Sequence, residues 1–70
     1  MTSLAANIRR LRGNESQDTV ARRGGLHSSW WSAFETGRVG TSLIGLNKVA
    51  RGLQCDVFEL FLDEHGAPVV

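Results

Sequence analysis

Residues 16–37 read Ser-Gln-Asp-Thr-Val-Ala-Arg-Arg-Gly-Gly-Leu-His-Ser-Ser-Trp-Trp-Ser-Ala-Phe-Glu-Thr-Gly, and they lay out two short helices around a glycine turn. Ser16 is a natural N-cap, its hydroxyl taking an otherwise unpaired N–H of the first turn. It opens a helix over Gln17 to Arg23 in which Val20 and Ala21 point inward. Gly24-Gly25 bends the chain without a side-chain obstacle, Leu26 plugs the turn, and His27-Ser28-Ser29 starts a further helix that runs to Glu35 or Thr36 before Gly37 stops it. Successive helical residues diverge by about 100°, so Trp30 and Trp31 cannot share a face. Trp31 aligns with Phe34 and belongs to the core, whereas Trp30 falls at the edge of the outward face, near Ala33.

The flanks supply the helices that these two must pack against. Upstream, Leu4, Ile8 and Leu11 form one apolar stripe of a helix from Ser3 to about Arg12, with Asn7, Arg9, Arg10 and Arg12 on its polar faces and Gly13-Asn14 as its stop. Downstream, Thr41 or Ser42 caps a fourth helix whose buried face is Leu43, Leu46, Val49, Ala50 and Leu53. Gly45 and Gly52 interrupt it at about 1 kcal/mol each relative to Ala, which marks close approach of a neighbouring helix. Asp56 with Glu59 forms a capping pair for a fifth helix, Val57 to about Asp63, ended by His65-Gly66-Ala67-Pro68. On it Leu60 and Phe61 turn inward and Phe58 and Leu62 remain outside. With no strand pattern, the expected architecture is all-α, five short helices in one domain over residues 1–64 and a short tail over 65–70. Val69-Val70 is either disordered or an addition to a partner's surface.

Seventy residues leave room for one small core that buries only about 60% of the unfolded chain's surface. Lone Cys55 cannot form an internal disulfide and no Cys/His set has zinc-ligand spacing, so stability falls to helix packing or to oligomerisation. A content of 41% apolar and 21% charged residues is globular rather than disordered. The longest stretch free of charge, Gly24 to Phe34, is far short of the roughly 18 apolar residues of a membrane span. The first residues carry neither a basic nor a continuous apolar signal region, which makes the cytoplasm the expected compartment. All eight cations lie before residue 54 with only three carboxylates, a net of +5, whereas residues 54–70 hold four carboxylates and no cation, a net of −4. Such a split suits a polyanion on the first part and self-association or solvent on the second.

Catalytic readings fail on residue type. Gly40-Thr-Ser-Leu-Ile-Gly45 has the glycine spacing of a phosphate loop, but Leu46-Asn47 stands where Lys-Ser/Thr is required and no strand precedes it. Ser28 and Ser29 lack a nucleophile elbow, and His27, Cys55 and His65 match no metal-site spacing. Cys55 fills a small apolar gap before the Asp56 cap. No enzyme activity, cofactor, metal or small-molecule substrate is therefore expected.

A short helix, a glycine turn and a second helix describe a helix-turn-helix, in which the second helix enters a DNA major groove. Ser16-Gln17, Val20-Ala21, Gly25-Leu26, Trp31, Phe34-Glu35 and Gly37 follow a pattern that continues through Ser42-Leu43, Leu46, Val49-Ala50, Leu53 and Asp56 to Leu60-Phe61. Over about residues 4 to 62 this pattern resembles the Cro/Xre-type (lambda-repressor-like) DNA-binding domain. Gln17 then matches a glutamine that bonds a backbone phosphate at a helix N-terminus. Ser28 and Ser29 match base-reading positions, with Ser32 and Ala33 one turn on along the same outward face. Arg38 and Thr41 match phosphate contacts, Arg9 or Arg10 reaches the backbone from the first helix, and Arg12 with Glu35 matches a structural ion pair.

The chain departs from the family pattern in four places. Gly13-Asn14-Glu15 is about two residues short, and Gly40-Thr41 replaces a more usual Asn-Pro. His27 stands where a Ser or Thr cap is expected, which opens a shift of the cap to Ser28 at the cost of a base-reading hydroxyl. Ser28, Ser29 and Ala33 are short beside the Arg, Gln and Asn whose bidentate base contacts are worth about 1 to 3 kcal/mol each. Trp30 either packs on the flank against helix two or helix four, or touches a thymine methyl or a phosphate; His27 is a further possible DNA contact. Arg22-Arg23 is either a solvated helix end or a phosphate contact.

The resemblance implies a transcriptional regulator, a repressor, that binds double-stranded DNA at a near-palindromic operator as a homodimer, with Phe58 and Leu62 at the dimer face. The alternative is a protein-interaction module on the same fold, an antitoxin-like or anti-regulator subunit using Trp30.

Overall fold

Among the described residues, serine side chains start three of the four α-helices. Ser3 Oγ accepts from the Ala6 N–H at 3.1 Å, Ser16 Oγ from Thr19 at 3.1 Å and Ser42 Oγ from Gly45 at 3.3 Å. In a computed structural model that describes residues 3–40 and 42–69, these caps open α1 (Leu4–Arg12), α2 (Gln17–Arg23) and α4 (Leu43–Leu53). Between them α3 (Ser28–Glu35) is capped by His27, whose ring accepts from the Ser29 N–H, so the cap does not slip to Ser28. Of the two residues expected to cap α4, Ser42 does so and Thr41 lies outside the described residues.

The core is Ile8, Val20, Ala21, Trp31, Phe34, Val49, Ala50 and Leu60, with Leu4, Leu11, Leu26, Leu46 and Leu53 packed around it. Two glycines let α2 and α4 cross at backbone contact. A Cβ on Gly52 would lie 2.2 Å from the Val20 carbonyl oxygen, and one on Gly24 would lie 2.3 Å from that of Lys48. Gly24 is therefore a contact residue as much as a turn residue. Gly25 makes the turn itself at φ +75°, with Leu26 N–H returning to the Ala21 carbonyl at 2.7 Å. Because the crossing lies at residues 48–52, the first turn of α4 projects past it. Leu43, expected on the buried face, is 68% exposed for that reason, and Ile44 beside it is equally free.

The expected fifth helix is a 3-10 turn, Val57–Phe61, two residues shorter than its pattern implied. Asp56 caps it through the Phe58 N–H at 3.0 Å. Past Phe61 the backbone exchanges helical bonds for a tight reversal: Asp63 N–H bonds the Ala67 carbonyl and Val69 N–H the Phe61 carbonyl, each at 2.8 Å, around a Leu62–Pro68 bridge. Residues 65–69 thus fold back on the 3-10 turn. The early exit also rotates Phe61, expected inside, to 37% exposed, while Leu60 is fully buried. Asn7, expected on a polar face of α1, is fully buried. Its Nδ2 donates to the Leu60 and Leu62 carbonyls at 2.8 Å each and holds the 3-10 turn onto α1. Among the described residues no helix is long and apolar enough to cross a membrane.

Candidate nucleic-acid interface

Three helices meet at one buried carboxylate. Glu35, at the end of α3, is 3% exposed and accepts from Arg12 of α1 in a forked pair, Nε to Oε2 at 2.7 Å and Nη2 to Oε1 at 2.9 Å. Trp31 Nε1 donates to Oε2 from the preceding turn of the same helix. Gln17 Nε2, from the first residue of α2, donates to Oε1 at 3.2 Å. Burial by itself would raise this carboxyl, but the hydrogen bonds from Arg12, Trp31 and Gln17, with the Arg12 charge, outweigh it and hold it below the usual carboxylate range. The Arg12 guanidinium is raised in turn by the same bond. Arg9 adds a bond to the Glu35 carbonyl at 2.9 Å. Arg9, Arg12, Gln17 and the C-terminus of α3 are thereby fixed relative to one another.

The outward face of α3 is polar and short. Ser29 is exposed, and Ser28, Ser32 and Ala33 are half-buried. Trp30 is half-buried too, its ring stacked on Phe34 with centroids 5.2 Å apart and planes 13° from parallel. Its contact is thus within its own helix, one turn on, and the indole joins the margin of the core.

The sequence matches no protein-family model and no curated protein. Solved structures do match. The restriction-modification controller protein C.AhdI from Aeromonas hydrophila superposes with a TM-score of 0.78 at 33% identity, over 83% of this chain and 91% of that one. A hypothetical transcription factor, NHTF, from Neisseria superposes at 0.77 with 34% identity, over 89% of this chain and 74% of that one. The chain belongs to the Cro/Xre-type (lambda-repressor-like) helix-turn-helix family.

Seen as a Cro/Xre domain, α2 and α3 are the helix-turn-helix and α3 is its recognition helix. The Arg12–Glu35 pair forms despite the shortened Gly13-Asn14-Glu15 connection, which Gly13 closes at φ +60°. Arg9 and Arg10 diverge by one helical step, and only Arg9 stays with α3. Arg10 turns to the other side, its Nε donating to Asn7 Oδ1 at 3.0 Å and its Nη2 to the Leu62 carbonyl at 3.3 Å. There it borders a cleft of about 260 Å³ shared with Glu59, Asp63 and Glu64. Arg38 follows α3 in the exposed loop, with Nε 3.1 Å from Thr36 Oγ1, and Thr41 lies outside the described residues.

Arg22 and Arg23 separate as well. Arg22 pairs with Asp18 at the surface at 2.9 Å, while Arg23 grips Glu15 and donates to the Gly52 carbonyl at 2.8 Å, bracing α2 on α4. The sequence reading missed Asn7 and the bracing role of Arg23. Asn7 was findable, because Leu4, Asn7, Ile8 and Leu11 form a complete i, i+3, i+4, i+7 set in which it is the one polar member. Nothing local marks Arg23, whose partners lie in a loop and in another helix.

Proposed function

We propose that this protein is a sequence-specific double-stranded DNA-binding transcriptional regulator, a cytoplasmic repressor that binds a near-palindromic operator as a homodimer. The observation that carries the reading is the family's helix-turn-helix with a recognition helix tied to α1 and α2 through Glu35, on whose outward face Ser29 is exposed and Ser28 and Ser32 are half-buried. In that reading α3 lies in the major groove, Ser28, Ser29, Ser32 and Ala33 meet base edges, and Gln17, Arg9, Arg38 and Thr41 contact phosphates. Both guanidinium groups are engaged, Arg9 with Glu35 and Arg10 with Asn7 and Leu62, and Arg10 is the weaker phosphate candidate because its partners draw it away from α3. Gln17 keeps one amide hydrogen for a phosphate while the other bonds Glu35. Of the two solved relatives one is a restriction-modification controller protein and the other a hypothetical transcription factor, and no enzymatic activity is proposed. The interaction-module alternative loses its main support, since Trp30 is spent on Phe34 rather than standing free.

Dimerisation follows from contact area: one domain this small touches too little DNA for tight specific binding. Phe58, at 74% exposed, and Leu62, at 40%, supply an apolar face on the acidic side of the molecule, away from the phosphates. The testing experiment is binding to random and selected duplexes across a salt range. Arg9 and Arg38 from each of two subunits would neutralise four phosphates, for a slope of about −3.6 in log K against log salt and a loss of about 150-fold between 50 and 200 mM. Binding that ignores salt would overturn the proposal.

A further inference from the structure

His27 does more to Ser29 than cap its helix. The imidazole Nδ1 lies 3.4 Å from the Ser29 backbone nitrogen and 2.9 Å from Ser29 Oγ. A backbone N–H can only donate, so Nδ1 carries a lone pair, and the proton of the neutral ring sits on Nε2. The Ser29 hydroxyl, close to the same lone pair, is a hydroxyl that donates, because an accepting one would set lone pair against lone pair. Its proton is thereby turned inward and its own lone pairs outward. The Ser28 and Ser32 hydroxyls bond no protein group among the described residues, so nothing commits their protons and each can donate or accept.

We propose that His27 is a specificity-setting positioning residue: by holding the hydroxyl proton of Ser29 it makes Ser29 an acceptor only, and so selects adenine or cytosine on the strand it faces. This inference rests on the DNA-reading proposed above. In the major groove adenine N6 and cytosine N4 are donors, whereas guanine O6 and N7 and thymine O4 are acceptors. A serine free to rotate accommodates either kind, and a serine with its proton committed meets guanine or thymine lone pair to lone pair. The cap position thus writes a preference into a side chain too short to make a bidentate contact.

Selection of bound duplexes from a random pool at pH 8 tests this with the wild-type protein, Ser29→Ala and His27→Ser. The wild-type pool is expected to hold one position per half-site at which adenine and cytosine together outnumber guanine and thymine by about two- to tenfold, the worth of one hydrogen bond. Ser29→Ala flattens that position alone. His27→Ser keeps a helix cap and the rest of the site but releases the hydroxyl, and the same position then takes all four bases; His27→Gly, also tolerated at a cap, serves if the serine variant does not fold. Replacing the selected adenine by purine, which lacks N6, should weaken the wild type by the same factor and leave Ser29→Ala unaffected. Guanine or thymine at the Ser29-dependent position, no position that depends on Ser29, or an unchanged preference in His27→Ser would each overturn the inference while leaving DNA recognition intact. A wild-type pool with no enrichment at all would overturn both.

Discussion

Replacing Glu35 by Gln changes one charge and almost no volume, so it isolates what the buried carboxylate does. The amide can still accept from Trp31 and from one nitrogen of Arg12, but the forked pair is lost and Arg12, 18% exposed at its side chain, keeps a charge with no counter-charge beside it. Removing one partner of a buried pair costs about 3 to 5 kcal/mol, and the partial exposure of Arg12 brings the expectation to about 2 to 3 kcal/mol. In a domain of this size that is a fall in Tm of roughly 10 to 20 °C. Thermal unfolding followed by helical circular dichroism measures it directly, with a denaturant titration at 10 °C to catch a variant already partly unfolded at room temperature. The pH dependence adds a second signature. The folded carboxyl is held below its ordinary range, so its contribution is present in full above the unfolded value and is lost as pH falls through the folded one. Wild-type stability should decline with acid below about pH 4.5, and part of that decline should vanish in Glu35→Gln. A variant melting within about 2 °C of wild type at pH 7 would refute the account of Glu35 as the joint between three helices.

Further outcomes follow from single contacts. Gly52→Ala should destabilise by more than about 2 kcal/mol, because its Cβ meets the Val20 carbonyl backbone at 2.2 Å and neither helix can yield alone; a denaturant midpoint unchanged from wild type would contradict the close crossing. Gln54 ends α4 at φ 57° without being glycine, and Gln54→Gly should raise stability by about 0.5 to 1 kcal/mol, read as a higher Tm. Phe58→Asp should leave the monomer's melting curve intact, since the ring is 74% exposed, while shifting sedimentation toward the monomer and weakening operator binding; an unchanged mass would remove Phe58 from the dimer face. Asn7→Leu leaves the Leu60 and Leu62 carbonyls without their shared donor and should cost about 2 to 3 kcal/mol by the same melting assay.

What was legible in the sequence was whatever is decided within a turn or two of chain. Ser16 followed by Val20-Ala21, and Ser42 followed by Leu46, Val49 and Ala50, fix helix starts and buried faces locally, and the structure has those elements at those residues. Leu43 has the right spacing and still lies in solvent, because burial depends on how far along α4 its neighbour reaches, and spacing carries no information on that. The fifth helix had a sound cap in Asp56 and failed at its other end, where Leu62 gives its carbonyl to Asn7 across 55 residues. In the candidate site the Arg12–Glu35 pair was accessible only through resemblance, since nothing in either residue's neighbourhood names the other. The stacking of Trp30 on Phe34 was a matter of rotamer, which helical periodicity does not encode.

A buried ion pair is a poor way to stabilise a small domain, because an apolar pair of similar volume commonly does as well. Its presence in the middle of a core this limited calls for another reason, and the donors around Glu35 supply one. Arg12 comes from α1, Gln17 from the first residue of α2 and Trp31 from α3, so one carboxylate sets the distance between the ends of two helices and the axis of the third, while Arg9 adds a bond to the main-chain carbonyl of the same residue. An apolar replacement of both Arg12 and Glu35 could keep the fold and would still cut Gln17 loose. On the proposed DNA-reading, the difference matters because Ser28 and Ser29 are short: such side chains would reach a base edge only if the helix that carries them is placed to within a fraction of an ångström, and Glu35 ties that helix to Arg9, Arg12 and Gln17, of which Arg9 and Gln17 are the proposed phosphate contacts.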